Sequence, residues 1–221
     1  MYQLKNVKKT YKLGEVTVEA LNGIDLNIQK KDFIAIAGSS GSGKTTLLNL
    51  LGFIDVPTSG VITYKNRVVS ALGESKLNLI RRNEVGYIFQ NFNLIPVLNA
   101  FENIEYALVI HGKSKKSDRI EKVNYYLDKV GLFEHRFKRP NQLSGGQCQR
   151  VAIARALVKK PEIILADEPT ANLDSKTGSA IIELLKGLNQ EETTTFIFSS
   201  HDSRIIGYAS KVINISDGKI I

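Results

Sequence analysis

Apolar and polar positions follow two rhythms along this 221-residue chain. Short apolar runs of strand length alternate with stretches whose apolar residues recur every three to four positions. That alternation is the mark of an α/β fold with a mostly parallel sheet. Leu21 to Ile28 alternates apolar and polar residues, with a slip at Gly23. Phe33 to Ala37 is continuously apolar and runs into glycines, as a strand covered on both faces should. Further strands are predicted at Val85 to Phe89, Ile163 to Ala166, Thr194 to Phe198 and Val212 to Ile215, the last followed by a hairpin turn at Asp217-Gly218. Leu47, Leu48, Leu51 and Ile54 predict a helix over Thr45 to Ile54. Between Phe89 and Ile163 the strand pattern stops. Ala100 to Ile110, Ile120 to Val130 and Gly145 to Val158 read as helices, with Ile120, Val123, Leu127 and Val130 on one face. A helical insertion of roughly 65 residues therefore interrupts an α/β core.

Composition narrows the class. The chain is 43% hydrophobic and 24% charged, which excludes disorder as its main state. No apolar run approaches the ~18 residues of a membrane span, and Met1-Tyr2-Gln3-Leu4-Lys5 has no apolar stretch before its first charge, so no secretory leader is expected. A single cysteine, Cys148, cannot form an intrachain disulfide and fits a reducing compartment. The expectation is one soluble, cytoplasmic domain. The net charge of +8 suggests an anionic partner without naming it. Much of the excess lies between His111 and Pro140, with nine basic and four acidic side chains. It reads either as a face toward an anionic membrane surface or as a plain solvated helix face.

The chemistry begins at Gly38-Ser39-Ser40-Gly41-Ser42-Gly43-Lys44-Thr45, which fits G-x-x-x-x-G-K-[ST] between a strand and a helix. Glycines let backbone N–H groups turn inward around phosphate oxygens, and the helix that follows adds its own free N–H groups. Lys44 reaches the β- and γ-phosphates, the Thr45 hydroxyl can ligate Mg²⁺, and Thr46 completes the nucleotide-binding set. Farther on, the apolar strand Ile163 to Ala166 ends in Asp167-Glu168. Asp167 sits where α/β ligands bind and would hold Mg²⁺ through water. Glu168, one residue displaced, could orient or deprotonate an attacking water. Leu143-Ser144-Gly145-Gly146-Gln147 opens another helix, with Ser144 as N-cap and a glycine pair that exposes N–H groups to an anion. It is either a capped helix of the insertion or a second anion site. Two anion-ready helix starts with one lysine-bearing loop fit two chains arranged head to tail.

With these motifs in order, the chain resembles the nucleotide-binding subunit of ABC transporters. The match rests on GSSGSGKT at 38–45, Gln90 after a strand, LSGGQ at 143–147, ILADE at 164–168, Ala171-Asn172-Leu173-Asp174 and His201. It covers nearly the whole chain. The resemblance implies a P-loop core with a mixed, mostly parallel sheet, an antiparallel β subdomain and a helical subdomain. Residues 1–90 and 160–221 would form the catalytic core and roughly 91–159 the helical subdomain, as one ABC ATPase domain. It further implies that Tyr11 stacks on adenine, that Gln90 touches Mg²⁺ or the attacking water, and that His201 contacts the γ-phosphate. Asp174 would shape a dimer interface, and Ser144, Gly145, Gly146 and Gln147 would bind the partner's nucleotide. The implied activity is Mg²⁺-dependent ATP hydrolysis by a head-to-tail homodimer, with Lys44, Gln90, Glu168 and His201 as catalytic groups. A separate transmembrane permease would hold it at the cytoplasmic face of the membrane. No nucleic-acid partner is implied, since only 52 residues separate Gln90 from Leu143, too few for the long coiled coil of chromosome ATPases.

Finer cues resemble the branch that serves lipoprotein release, macrolide export, antimicrobial-peptide export and cell division. They are Tyr11 to Gly14, Val18 to Leu21, Leu51 to Asp55 with Pro57 to Gly60, Phe92 to Pro96, and Glu102-Asn103. An alternative role within it is signalling through a membrane partner without transport. Departures are Ser39 for proline, Lys31 for glycine and Ser200 for threonine. Asn91 to Glu102 carries more apolar residues than a connecting loop needs, so it reads either as a permease-docking surface or as internal packing. Cys148, near a helix N-terminus, reads either as inert or as a reactive thiol. The chain stops three residues after Gly218, and no C-terminal regulatory domain is expected.

Overall fold

A computed structural model describes residues 1–112 and 115–221, the side chain of Leu13 excepted; Lys113, one of the basic residues in the His111 to Pro140 stretch, lies outside them. The chain runs β1 (Tyr2–Leu13), β2 (Val16–Ile28), β3 (Phe33–Ala37), α1 (Lys44–Leu51), β4 (Ser59–Tyr64), β5 (Arg67–Val68), α2 (Glu74–Glu84) and β6 (Val85–Ile88). It continues through α3 (Ala100–His111), α4 (Lys116–Lys129), α5 (Gly145–Leu157), β7 (Ile163–Asp167), α6 (Ser175–Glu192), β8 (Thr195–Ser199), α7 (Ser203–Tyr208), β9 (Lys211–Ser216) and β10 (Lys219–Ile220).

The strands form two sheets. One is antiparallel with order β2-β1-β4-β5, and the other has order β10-β9-β3-β8-β7-β6. In the second, β3, β6, β7, β8 and β9 are parallel and only β10 is antiparallel. The mostly parallel sheet expected from the pattern is present, as are its mixed character and the antiparallel subdomain that the resemblance implied. Alternation explains why this sheet is buried on both faces. Phe33, Ala35, Ile164, Ala166, Phe196 and Phe198 enter the core shared with α3, α4, α5 and α6. Their neighbours Ile34, Ile36, Ile163, Leu165 and Ile197 enter a second core with α1 and the antiparallel sheet. A side chain of this kind contributes roughly 1.5–3 kcal/mol when fully buried, so the sheet's C-terminal edge is a rigid base for the loops above it.

The three predicted helices of the insertion are α3, α4 and α5, and among the described residues no strand lies between β6 and β7. On α4 the buried face is Val123, Tyr126 and Leu127, while Ile120, expected on it, is exposed. Ile120 lies in the N-terminal half of α4, whereas the buried residues of that helix all lie in its C-terminal half. The pattern missed β1 because four lysines interrupt it and its register with β2 slips between Leu4 and Val7, between Val7 and Lys8, and between Lys9 and Thr10. Each slip turns the following side chains to the opposite face. Lys31, the departure before β3, has φ 67, a left-handed conformation that favours glycine.

Candidate functional site

The phosphate loop joins β3 to α1 and is shaped by close backbone approach. A Cβ on Gly38 would fall 2.2 Å from the Ile215 carbonyl oxygen, at the end of the neighbouring strand. Gly43, the N-cap of α1, has φ 107, and a Cβ there would meet the Ala20 carbonyl oxygen at 2.6 Å. Only glycine suits either position. Lys44 is buried, and its ammonium donates to the carbonyl oxygens of Gly38 at 2.9 Å and Ser39 at 2.7 Å. The lysine charge therefore lies across the loop.

Two strands beyond β3, β7 delivers the acidic pair. The Thr45 hydroxyl donates to Asp167 Oδ1 at 3.4 Å, and the Ser199 hydroxyl donates to the same oxygen. Glu168 leaves the strand with φ 45, a left-handed conformation uncommon for a non-glycine residue. Its N–H donates to the Ser199 carbonyl at 2.9 Å, and its own carbonyl accepts from Ala171 N–H at 3.1 Å. Its carboxylate accepts from the Ser200 hydroxyl at 3.1 Å and lies 2.8 Å from His201 Nδ1. Glu168 is well covered and His201 largely exposed. With Nδ1 engaged, Nε2 is the ring nitrogen left for a phosphate oxygen. Asp202 caps α7 immediately after His201 and also accepts from the Thr170 hydroxyl at 2.8 Å. The Arg204 guanidinium beside it holds its carboxyl at about 2, below the usual carboxylate range.

Parallel pairing of β6 with β7, in register Ile88 with Ala166, brings Gln90 to the same edge. The Asn172 amide ties this strand exit to the segment after Glu168, donating to the Gln90 carbonyl at 3.0 Å and to Asn91 Oδ1 at 3.1 Å. These groups surround a cleft of about 740 Å³ lined by Gly38, Ser39, Ser40, Gly41, Gly43, Lys44, Thr45, Thr46, Gln90, Asp167, Glu168 and His201. Ser42 is buried beneath the loop. Val18, Glu19, Ala20 and Ala171 complete the lining. All four fall in segments that carried the resemblance, Val18 to Leu21 and Ala171 to Asp174, but none was named as a site residue. Tyr11 lies outside the cleft wall but pairs across the sheet with Val18. Its hydroxyl donates to Asp55 at 2.8 Å, the Lys9 ammonium sits 4.9 Å from its ring centroid, and burial first, then Asp55, pushes its pKa up.

Ser144, Gly145, Gly146, Gln147 and Asp174 do not line this cleft. Ser144 and Gln147 close a capping box at the start of α5, with Ser144 N–H donating to Gln147 Oε1 at 2.9 Å and Gln147 N–H to Ser144 Oγ at 3.3 Å. The N–H groups of Gly145 and Gly146 have no helical acceptor, as in any first turn. Asp174 caps the adjacent α6, accepting from Thr177 N–H at 3.0 Å, and the Thr177 hydroxyl and amide hold its carboxyl below the usual range. Of the two readings of Cys148, the structure favours the inert one. Its thiol is buried, donates to the Pro140 carbonyl at 3.5 Å, and has its pKa raised by desolvation. Burial works against the thiolate that a helix N-terminus would favour, which supports the inert reading. Of the Asn91 to Glu102 segment, Leu94 and Phe101 pack on the core while Val97 is 73% exposed. Asn103 is fully buried and fastens the segment through bonds with Ile95, Leu98 and Asn99.

A P-loop between a buried strand and a helix, an acidic pair two strands away and a capped LSGGQ helix define an ATP-binding cassette. The sequence profile described as ABC transporter matches residues 21–171. The whole chain is 46% identical to an uncharacterized ABC transporter ATP-binding protein, MJ0796 of Methanocaldococcus jannaschii, and covers 95% of it. It is 44% identical over 220 residues to the macrolide export ATP-binding/permease protein MacB of Bdellovibrio bacteriovorus, of which it spans 33%. A dimeric structure of the MJ0796 cassette in a post-hydrolysis state bound to ADP and Pi superposes with TM-score 0.91 at 45% identity, covering 100% of this chain and 96% of that one. A Clostridium perfringens cassette, cbiO1, part of the ABC transporter complex cbiONQ, superposes with TM-score 0.89 at 29% identity, covering 100% of this chain and 86% of that one. The chain belongs to the ABC transporter family, as an ATP-binding subunit of the ABC-type ATPase class. Among the described residues no helix is long and apolar enough to cross a membrane.

Proposed function

We propose that this protein hydrolyses ATP at a two-subunit interface and uses the cycle to drive export or extraction through a separate membrane permease, at the cytoplasmic face of the membrane. The observation that carries the reading is the convergence of Lys44, Asp167, Glu168, Gln90 and His201 on one cleft of about 740 Å³. Loop amides, Lys44 and the α1 N-terminus hold the phosphates. Glu168 orients water and accepts its proton, and His201 supplies charge at the γ-phosphate. Phosphoryl transfer needs mainly such positioning and electrostatic stabilisation. The Thr45 hydroxyl, the Gln90 amide oxygen and the Asp167 carboxylate are hard oxygen donors, the set that suits Mg²⁺. When bound with ATP, that ion neutralises phosphate charge. Tyr11, its ring fixed by Asp55 and Lys9, offers an aromatic face at the cleft's edge for the base.

The glycine pair and Asp174 sit on an exposed edge outside the chain's own cleft, which supports completion of the site by a second copy turned head to tail. Residues 1–90 and 160–221 serve as the catalytic unit, and roughly 91–159 as the unit that carries LSGGQ and meets the permease, with the exposed Val97 part of that surface. The likeness to macrolide exporters supports an export or extraction role. The deciding experiment is Glu168→Gln. The variant should bind ATP as the parent does, lose nearly all turnover and accumulate as an ATP-bound dimer by size-exclusion chromatography; turnover at the parental rate would refute the assignment.

A further inference from the structure

Glu168 occupies a conformation its sequence does not favour. A left-handed non-glycine residue is strained, and the proline ring that follows restricts it further. Such a residue stays in place only where its surroundings over-determine it. From the core, Ser199 and Ala171 hold its own backbone. The next carbonyl along, that of Pro169, is held from the other side of the molecule. Gln149 Nε2, on the helix α5 that begins with the LSGGQ signature, donates to Pro169 O at 2.6 Å. A proline carbonyl can only accept, so the amide nitrogen must face it.

The surroundings of Gln149 argue that this bond is the reason for the residue. Its side chain is fully buried, and Oε1 finds no donor among the described residues. A buried amide with half its capacity unmet is a cost that a leucine of similar size would not carry. The other inward-facing residues of α5, such as Val151, Ile153, Ala154 and Leu157, are apolar. The one polar exception touches the residue adjoining Glu168.

We propose that Gln149 is a positioning residue for Glu168, fixing the Glu168-Pro169 backbone so that the carboxylate stays aimed at the attacking water. It also gives the helix that carries LSGGQ a direct hold on the hydrolytic loop. The inference rests on the hydrolytic reading above. The test compares the purified chain with Gln149→Leu and Gln149→Glu, measuring steady-state Mg·ATP hydrolysis from acid to alkaline pH together with ATP affinity and thermal midpoint. Gln149→Leu should lose about tenfold or more in kcat with ATP affinity changed by less than about twofold, a loss on the transition-state side only. In Gln149→Glu the introduced carboxyl is buried and its pKa raised. Its protonated form can donate to Pro169 O and its ionised form cannot. Turnover should therefore approach that of the parent at the acid end and fall to the leucine level as pH rises. Parental kcat in Gln149→Leu, or a parental pH profile in Gln149→Glu, would overturn the proposal. If the leucine variant does not fold, the glutamate profile decides alone. A parent chain that binds ATP but never hydrolyses it refutes the function itself; an active parent with unaffected variants refutes only this inference.

Discussion

The side-chain amide of Asn172 donates to the backbone carbonyl of Gln90 at 3.0 Å, joining two loops that are 82 positions apart in the chain. One loop leaves β6 toward the helical part, and the other follows Glu168 toward the exposed edge at Asp174. The bond makes the position of Gln90 depend on that edge. Asn172→Ala takes it away together with the bond to Asn91 Oδ1, each hydrogen bond being worth roughly 0.5–1.5 kcal/mol. ATP turnover should fall by about two- to tenfold with ATP binding intact. Unchanged kcat in a steady-state assay would show that the two loops work independently.

His201 makes its contact with Glu168 through Nδ1, at 2.8 Å. His201→Ala removes both the charge donor proposed for the γ-phosphate and a side chain that contacts the Glu168 carboxylate. Loss of one such electrostatic group costs on the order of 10²–10³ in kcat. Equilibrium ATP binding should hold, because Lys44 and the loop amides are untouched. A variant that loses binding and turnover in proportion would place the histidine in ground-state binding instead.

A methyl group on Gly146 would fall 2.4 Å from Thr177 Cγ2. Gly146→Ala should therefore push the start of α5 away from α6 and disturb the surface on which a second copy is proposed to dock. The expected outcome is parental ATP binding by the monomer with loss of the ATP-dependent dimer, read by light scattering. Dimer formation at the parental ATP concentration would argue that this edge is not the interface.

Asp202 sets an acid limit on stability. Its folded pKa, held at about 2 chiefly by Arg204, is below the ordinary unfolded value of ~3.9. A depressed carboxylate stabilises the fold above the unfolded pKa, and that contribution is lost as pH falls through the folded one. Asp202→Asn should thus have a lower thermal midpoint than the parent at pH 6, with the gap closing between about pH 4 and pH 2. A gap that is independent of pH would assign the effect to lost hydrogen bonds alone.

Lys31 holds φ 67 at the entry to β3, at the opposite end of that strand from the phosphate loop. Glycine adopts this conformation without the clash a Cβ brings. Lys31→Gly should stabilise the chain by about 0.5–1 kcal/mol in urea denaturation and leave ATPase activity unchanged. Destabilisation would mean that the greater freedom of glycine in the unfolded chain outweighs the relieved strain.

The central strands were legible because a sheet covered on both faces demands continuous apolar runs, and Phe33–Ala37 and Ile163–Ala166 supply them. The helices of the insertion were legible from spacing alone. The first strand was not, since its lysines and register slips erase the period of two. Within the site, the loop at 38–45, Asp167, Glu168, Gln90 and His201 could be named from motif and strand context, and the fold gathers them on one cleft. The parts played by Ser199, Ser200, Asn172 and Gln149 could not be read, although Asn172 stands in the Ala171 to Asp174 motif and Ser200 is a departure from the family's pattern. Each is an ordinary polar residue in sequence, and its part comes from a partner between 20 and 82 positions away.

By itself the sequence determined the class of chemistry, because a phosphate cradle needs glycines, a lysine and a hydroxyl at consecutive positions, and consecutive positions are what a sequence displays. The left-handed backbone at Glu168, the bonds between Glu168 and Ser199 and between Gln149 and Pro169, the burial of Cys148 and the separation of the LSGGQ edge from its own chain's cleft were decided only by the tertiary structure. These depend on which strands lie side by side and how far α5 reaches under the sheet's edge. Such contacts are set by packing across long chain separations, which no local pattern encodes.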